Sequence, residues 1–184
     1  MTIKPNYIIS QIPSVADFNT FAANPALQYI TTVNLNAVTT NISGVFSSTY
    51  DNYRFEFSKI YSTSGFVTFP LMSFTSGAGT AHFDGVKSTS SAGANSFNGQ
   101  NGSAYWLCGY CNTTQLDAGQ ISMDIYNPFN TKTTSYTSKF SNSTGGGFAG
   151  GIVNTTTSYT GCQIVGLFGS NIVGTLRVYG YRKA

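Results

Sequence analysis

The stretch STYDNYRFEF, residues 48–57, is the part of the sequence that best defines the fold. Its aromatic residues Tyr53, Phe55 and Phe57 alternate with an arginine and a glutamate, in a chain of which only 8% is charged. A period of two residues is typical of a β-strand with one apolar and one solvated face. The stretch therefore predicts a strand that turns its rings into a core and its two charges towards solvent.

The same alternation recurs along most of the chain from residue 28 onward. The segments that carry it are separated by Gly, Ser, Asn and Thr, which are typical of turns. The predicted strands are residues 28–36, 42–46, 53–61, 66–74, 104–111, 120–126, 133–140, 148–154, 162–168 and 173–181. Strands that follow one another so closely exclude a parallel α/β sheet. We therefore expect an all-β protein, an antiparallel two-sheet sandwich with one buried face on each sheet.

The beginning of the chain differs from this pattern. Residues 1–27 are apolar without a clean period, and residues 14–22 have the pattern of a two-turn helix, which is too short to be stable alone. We predict an N-terminal arm over residues 1–27 and a β-sandwich over residues 28–184. A disordered or self-packed terminus is the alternative, but the apolar content favours docking on a partner. The side chains predicted to make that contact are Ile3, Tyr7, Ile8, Ile9, Ile12, Phe18 and Phe21.

Two segments are rich in glycine. Residues 75–103 read as a connection of about thirty residues, longer than unstructured loops usually are, with a short strand around residues 81–86. Both a solvated loop and a tip that contacts another molecule fit this composition. Residues 144–151 lack the Gly-Lys-Ser/Thr of a phosphate-binding loop and predict a turn that leads into a strand.

Charge and hydropathy exclude two classes of partner. The net charge is +3, and the nine basic residues are scattered, whereas a nucleic-acid surface needs a basic cluster. No segment reaches the roughly 18 continuous apolar residues of a membrane span, and the first ten residues lack the apolar core of a secretory signal. We expect a soluble protein made in the cytoplasm, with neither a nucleic-acid nor a membrane partner.

The chain offers few groups for catalysis. It has six acidic residues and one histidine, His82, and no Gly-x-Ser-x-Gly motif surrounds a serine. The acids predicted on turns or solvated strand faces are Asp51, Glu56, Asp84, Asp117 and Asp124. Two of them could approach each other as a glycosidase-like pair, but nothing in their spacing indicates it. We expect no enzyme activity and no cofactor.

Three cysteines leave a metal site as an alternative. Cys108 and Cys111 form a CxxC pair, and Cys162 with His82 would complete a Cys₃His set. Structural zinc sites usually contain a second closely spaced ligand pair, which is absent from this sequence. Free cysteines are commonly buried as small apolar side chains. We therefore predict no metal, while the sequence leaves open whether these four side chains meet.

Four stretches in a fixed order resemble a family of structural proteins of tailed bacteriophages, common in marine and cyanobacterial phages. They are VFSSTYDNYRFEFS (45–58), DIYNPFNTKTTSY (124–136), NTTTSYTGCQIVG (154–166) and NIVGTLRVYGYRK (171–183). The resemblance covers roughly residues 28–184. It implies a jelly-roll-like module, similar in outline to the globular heads of the complement and tumour necrosis factor families, which often form trimers. In phages such modules are capsid decoration proteins or parts of tail and head fibres.

The short arm favours the first of these two roles. The resemblance then implies a virion protein, a capsid decoration (cement) protein that forms a homotrimer and docks its arm on the major capsid protein or another virion protein. In a trimeric jelly roll the first and last long strands are neighbours. On this basis we expect Arg54 and Glu56 to pair with Arg177 or with a neighbouring subunit.

The alternative is a tail or head fibre or spike module that binds a host receptor or glycan. The only tryptophan, Trp106, lies in a strand predicted to be buried, so the aromatic platform of a sugar site is not evident. Twelve tyrosines nevertheless leave a glycan site open.

Overall fold

The computed structural model describes residues 27–63, 70–74, 81–89, 93–103 and 105–183. In these ranges the chain forms β-strands and two short 3₁₀ turns, at Gln115–Asp117 and Leu167–Gly169, and no α-helix. The strands are β1 (Leu27–Ala37), β2 (Thr39–Ile42), β3 (Tyr50–Ser62), β4 (Pro70–Phe74), β5 (Ala81–Thr89), β6 (Gly93–Ser103), β7 (Trp106–Leu107), β8 (Gly119–Tyr126), β9 (Thr134–Asn142), β10 (Gly145–Val153), β11 (Cys162–Gly166) and β12 (Ile172–Arg182).

The strands form two sheets. The large sheet has eight strands in the order β1-β12-β3-β8-β9-β10-β5-β6, and the small sheet has four in the order β2-β11-β4-β7. Every pair of neighbouring strands is antiparallel. The predicted all-β fold with two antiparallel sheets is therefore confirmed.

The core contains the rings of the opening stretch. Tyr53 and Phe55 have no exposed surface and Phe57 is 2% exposed. Phe46 packs edge-on against Tyr53 at 4.9 Å between ring centroids. Trp106 is buried as predicted and stacks on a tyrosine of β9. Because burial of apolar surface is worth about 25 cal/mol per Å², the alternation that places these rings inside is a main source of stability.

The structure corrects the prediction for residues 75–103. Most of this segment is a hairpin in which β5 and β6 pair over nearly their whole length, so the predicted short strand exists but is longer, and a second strand follows it. The β6 sequence GANSFNGQNGS gives no apolar alternation from which a strand could be predicted. Main-chain pairing with β5 forms the strand instead.

Several strand boundaries also differ from the prediction, and the strand predicted at residues 104–111 is only two residues long, Trp106–Leu107. The segment predicted as a strand at residues 42–46 is a strand only up to Ile42, because Gly44 has a φ of +68° that turns the chain. Val45 and Phe46 are nevertheless buried. The glycine run predicted as a turn before residue 148 already belongs to β10, which starts at Gly145.

The predicted arm contacts lie outside the described residues. This applies to Ile3, Tyr7, Ile8, Ile9, Ile12, Phe18 and Phe21 and to the predicted helix at residues 14–22. They remain predictions.

Candidate functional site

Arg54 and Glu56 of β3 lie on the solvated face of the large sheet. Side chains of both neighbouring strands contact them. Arg54 Nε and Nη2 donate to the two carboxylate oxygens of Asp124 at 2.8 Å each. The Tyr181 hydroxyl donates to Asp124 Oδ1 at 2.7 Å, and the guanidinium carbon lies 5.6 Å from the centre of the Tyr181 ring. Glu56 accepts a hydrogen bond from Ser122 at 2.8 Å and lies 3.7 Å from Arg54 Nε. We call these five residues the Arg54 cluster.

Strand register explains why these residues meet. β3 lies between β12 and β8, with Arg54 directly opposite Asp124 on one side and Tyr179 on the other. Tyr181 is two residues further along β12 and therefore points to the same face as Tyr179. Residues on one face of neighbouring strands are the ones that interact across a sheet.

The cluster shifts the pKa values of its members. Burial acts to raise the pKa of Asp124, but the hydrogen bonds from Arg54 and Tyr181 outweigh it, so that the pKa lies below its ordinary value. The hydrogen bond to Asp124 raises the pKa of Arg54. Burial, together with the hydrogen bond to the carboxylate, raises the pKa of Tyr181 to about 12. The cluster is therefore a fixed ion pair with a neutral tyrosine at ordinary pH.

The predicted partner Arg177 lies directly opposite Glu56 in the register of β12 and β3 and is exposed. Within the chain, the ion pairs of Arg54 run to Asp124 and Glu56. A pairing of these groups with a neighbouring subunit stays a prediction. The sequence predicts Asp124 on a solvated face but not as the partner of Arg54, because register between distant strands leaves no local signal.

The turn after β8 contacts the start of β3. The main-chain N–H of Asn127 donates to Asp51 O at 2.9 Å, and the side-chain amide of Asn130 donates to Asp51 Oδ1 at 3.0 Å. Asn127 has a φ of +58°, a left-handed conformation that asparagine tolerates. The main-chain N–H of Tyr159, in the segment before β11, donates to Pro128 O at 2.8 Å and so joins that segment to the turn after β8.

Two further contacts join the first of the four quoted stretches to the third and to the fourth. The N–H of Phe46 donates to Thr160 O at 3.1 Å, and Lys183 Nζ lies 3.0 Å from Asp51 Oδ1. The hydrogen bond from Asn130, and then that from Lys183, lower the pKa of Asp51. All four stretches thus contact one another at one end of the large sheet, which we call the motif end.

The opposite end of the large sheet exposes apolar side chains. Val38 follows β1, Phe168 lies just before β12, and Leu116 lies just before β8. The exposed fractions are 39% for Val38, 87% for Phe168 and 99% for Leu116. Phe168 also has a φ of +57°, which is unfavourable for a bulky residue. We call these three residues the far end.

The cysteines are in the interior. Cys108, Cys111 and Cys162 are buried and form no disulfide, and burial raises the pKa of the Cys108 and Cys162 thiols. These two thiols are therefore protonated and poor ligands or nucleophiles. Within the described ranges, no three His, Cys, Asp or Glu side chains converge as a metal site would require. His82 is in β5, in register opposite Ile152.

The acids give no catalytic arrangement among the residues described. Glu56 and Asp124 are on adjacent strands, but Arg54 lies between them, and the low pKa of Asp124 is the reverse of what a general acid needs. Asp51 is bound to Asn130 and Lys183. Beside Glu56 lies a shallow open depression, lined also by Gln120, Ser122, Lys139 and Ser141 along with other residues of β8 and β9.

No protein-family model, curated protein or solved structure matches this chain. In the part of the chain that the structure describes, no helix has the length and apolarity needed to cross a bilayer.

Proposed function

We propose that this chain is a structural protein of a tailed-phage virion, namely a capsid decoration (cement) protein with a jelly-roll-like module that binds the outer shell and stabilises it. The observation that supports this proposal best is the convergence of the four family-like stretches at the motif end. Stretches spread over residues 45–183 contact one another there through main-chain hydrogen bonds and the Lys183–Asp51 ion pair. The stretches on which the resemblance rests are therefore neighbours in space as well as ordered along the chain.

The solvated face of the large sheet also suits a protein exposed on a particle. On this face Arg54 is paired with Asp124 and Glu56, and most of the uncharged polar groups are Ser, Thr, Asn and Tyr. Such a surface depends little on exposed ion pairs and loses little when salt screens them. We propose a purely structural role, without enzyme activity.

The position of β1 gives the proposed orientation on the shell. Leu27, the first residue of β1, pairs with Tyr181 at the motif end, so residues 1–26 join the described structure there. Gln28 is held in place by a hydrogen bond between its side-chain amide and the Tyr50 hydroxyl at 2.9 Å. We therefore place the motif end towards the capsid and the far end outward.

The test is a rebinding assay with shells that lack the protein. Deletion of residues 1–26 should leave the melting temperature nearly unchanged and abolish most of the binding, because the anchoring side chains are gone. The matched control is the full chain with Leu116→Ser and Phe168→Ser, which removes apolar surface at the far end and should bind fully. Full binding by the deletion variant would contradict anchoring by the arm and move the contact to residues 75–103.

The second candidate function is a fibre or spike module that binds a receptor glycan. One observation favours it: Tyr29 is 59% exposed and packs edge-on against Tyr179 at 5.9 Å, on the solvated face of the large sheet. Exposed tyrosine rings are surfaces on which sugars stack. Binding of host glycans that is lost in Tyr29→Ala would support this candidate over the first.

A further inference from the structure

Both edge strands of the large sheet lack charged residues and proline, two of the features that usually protect an edge. The edge strands are β1 and β6, each eleven residues long. Neither LQYITTVNLNA nor GANSFNGQNGS contains a charged residue or a proline. Natural proteins normally protect long edges with lysine, proline or a covering segment, because free main-chain groups pair with other chains.

In the part of the chain that the structure describes, each edge has one partner strand. β1 pairs with β12, and β6 pairs with β5. Both edge strands are irregular: the register of β1 shifts between Tyr29 and Thr31, and that of β6 shifts at Gly102 and between Phe97 and Gln100. Among the described strands, none pairs with the outer side of β1 or of β6.

The relative direction of the two edge strands indicates how two copies would pair. The sheet has eight strands and every neighbouring pair is antiparallel, so β1 and β6 run in opposite directions. When copies are arranged around an axis parallel to the strands, β1 of one copy is antiparallel to β6 of the next. Pairing between two β1 strands would instead need a twofold axis and leave both β6 edges open.

We propose that copies of this chain assemble head to tail, with β1 of one copy pairing antiparallel with β6 of the next. The two strands match in length, and neither brings a charge into the contact. Such a contact is heterologous, and it leaves no free edge once the ring closes. Closure with three copies rests on the homotrimer that the resemblance predicts. The edge pairing itself does not depend on a role in the virion.

The test is an engineered disulfide between copies. Thr32 is the central residue of β1 and Asn98 that of β6, so Thr32→Cys combined with Asn98→Cys places two thiols near each other across the contact, with Ser96→Cys and Gln100→Cys as neighbouring registers. Mild oxidation should give a covalent trimer as the largest species on a non-reducing gel. Each single variant should stay monomeric on that gel, because Cys108, Cys111 and Cys162 are buried.

Two of the following outcomes would overturn the β1–β6 pairing, and the covalent ladder would overturn only its closure as a trimer. Covalent dimers from Thr32→Cys alone would show pairing between two β1 strands. A covalent ladder beyond three copies would exclude the closed trimer. The absence of cross-links in all three registers, in variants whose circular dichroism matches the parent, would exclude the β1–β6 contact.

Hydrogen exchange on the unmodified protein gives a test that does not depend on the register. Every second amide of an edge strand points away from its only partner. If the edges are paired, these amides in both β1 and β6 should exchange slowly. Fast exchange of alternate amides in both strands would contradict the proposal. Loss of shell binding with intact cross-links would count against the virion role alone, so the two proposals can fail separately.

Discussion

At the scale of single residues, Arg54 shows how a charge is accommodated on the face of a sheet, in a chain of which only 8% is charged. Its side chain is 35% exposed, and that of Asp124 is 21% exposed, so solvent screens the pair only in part. Isolated exposed ion pairs contribute about 0–1 kcal/mol. A bidentate pair that also accepts a hydrogen bond from Tyr181 should contribute more than that.

We predict that Asp124→Asn lowers the free energy of unfolding by about 1–2 kcal/mol, because Arg54 then loses its ionic partner. Urea denaturation of the single and double variants of Arg54 and Asp124 should show a coupling above about 0.5 kcal/mol. The matched control is Glu56→Gln, which should cost less because Glu56 lies 3.7 Å from Arg54. Additive effects of the Arg54 and Asp124 changes would contradict the pairing.

The same carboxylate predicts a dependence on pH. Because the pKa of Asp124 is lowered in the folded state, the unfolded chain takes up this proton first as the pH falls. The stabilisation is present above the unfolded pKa of about 3.9 and is lost as the pH falls through the folded pKa. The stability difference between the parent and Asp124→Asn should therefore shrink between about pH 5 and pH 2. A difference that stays constant over this range would exclude the ionic contribution.

At the scale of elements, the closing strand β12 depends on a glycine. A Cβ atom at Gly180 would overlap the ring of Tyr50, which packs over this position at the motif end. Aromatic side chains commonly cover glycines in this way in sheets. Tyr50 of the TYDNY stretch and Gly180 of the VYGY stretch are therefore complementary parts of one contact.

We predict that Gly180→Ala destabilises the protein by about 1–3 kcal/mol, because the ring of Tyr50 must move. The control is Gly150→Ala in β10, where the nearest atom to an added Cβ is Tyr136 O at 3.4 Å, an ordinary contact. Thermal unfolding of both variants is the measurement. Equal melting temperatures for Gly180→Ala and the parent would contradict the proposed contact.

Element by element, strands such as β3, whose apolar and polar residues alternate, could be predicted from the sequence. Tyr53, Phe55 and Phe57 alternate because β3 packs against the core, and the prediction for this strand is confirmed. β6 could not be predicted in this way, because its sequence carries no apolar alternation. The Arg54–Asp124 pair was also beyond prediction, because residues 70 positions apart meet only through strand order and register.

At the scale of the whole molecule, the two ends of the large sheet differ in character. The motif end has hydrogen-bonded turns and the junction with residues 1–26, and the far end exposes Val38, Leu116 and Phe168. β12 alone, at eleven residues, separates the ends by about 35 Å. A protein anchored at one end would present the other to its surroundings.

The assembly state is predicted from the resemblance to trimeric modules together with the proposed edge pairing. We predict a trimer by light scattering at micromolar concentration, with a circular dichroism spectrum dominated by strand. A monomer under these conditions would contradict both the trimer and the edge pairing, although it would leave the fold unaffected.

We propose that this protein covers the capsid lattice of a tailed phage. Electron microscopy of intact particles, with the protein located by a bound antibody or a fused density, measures this most directly. We predict hundreds of copies at regular positions over the outer shell, with the motif end towards the capsid. A dozen copies or fewer at the tail, or no copies on the particle, would contradict the account.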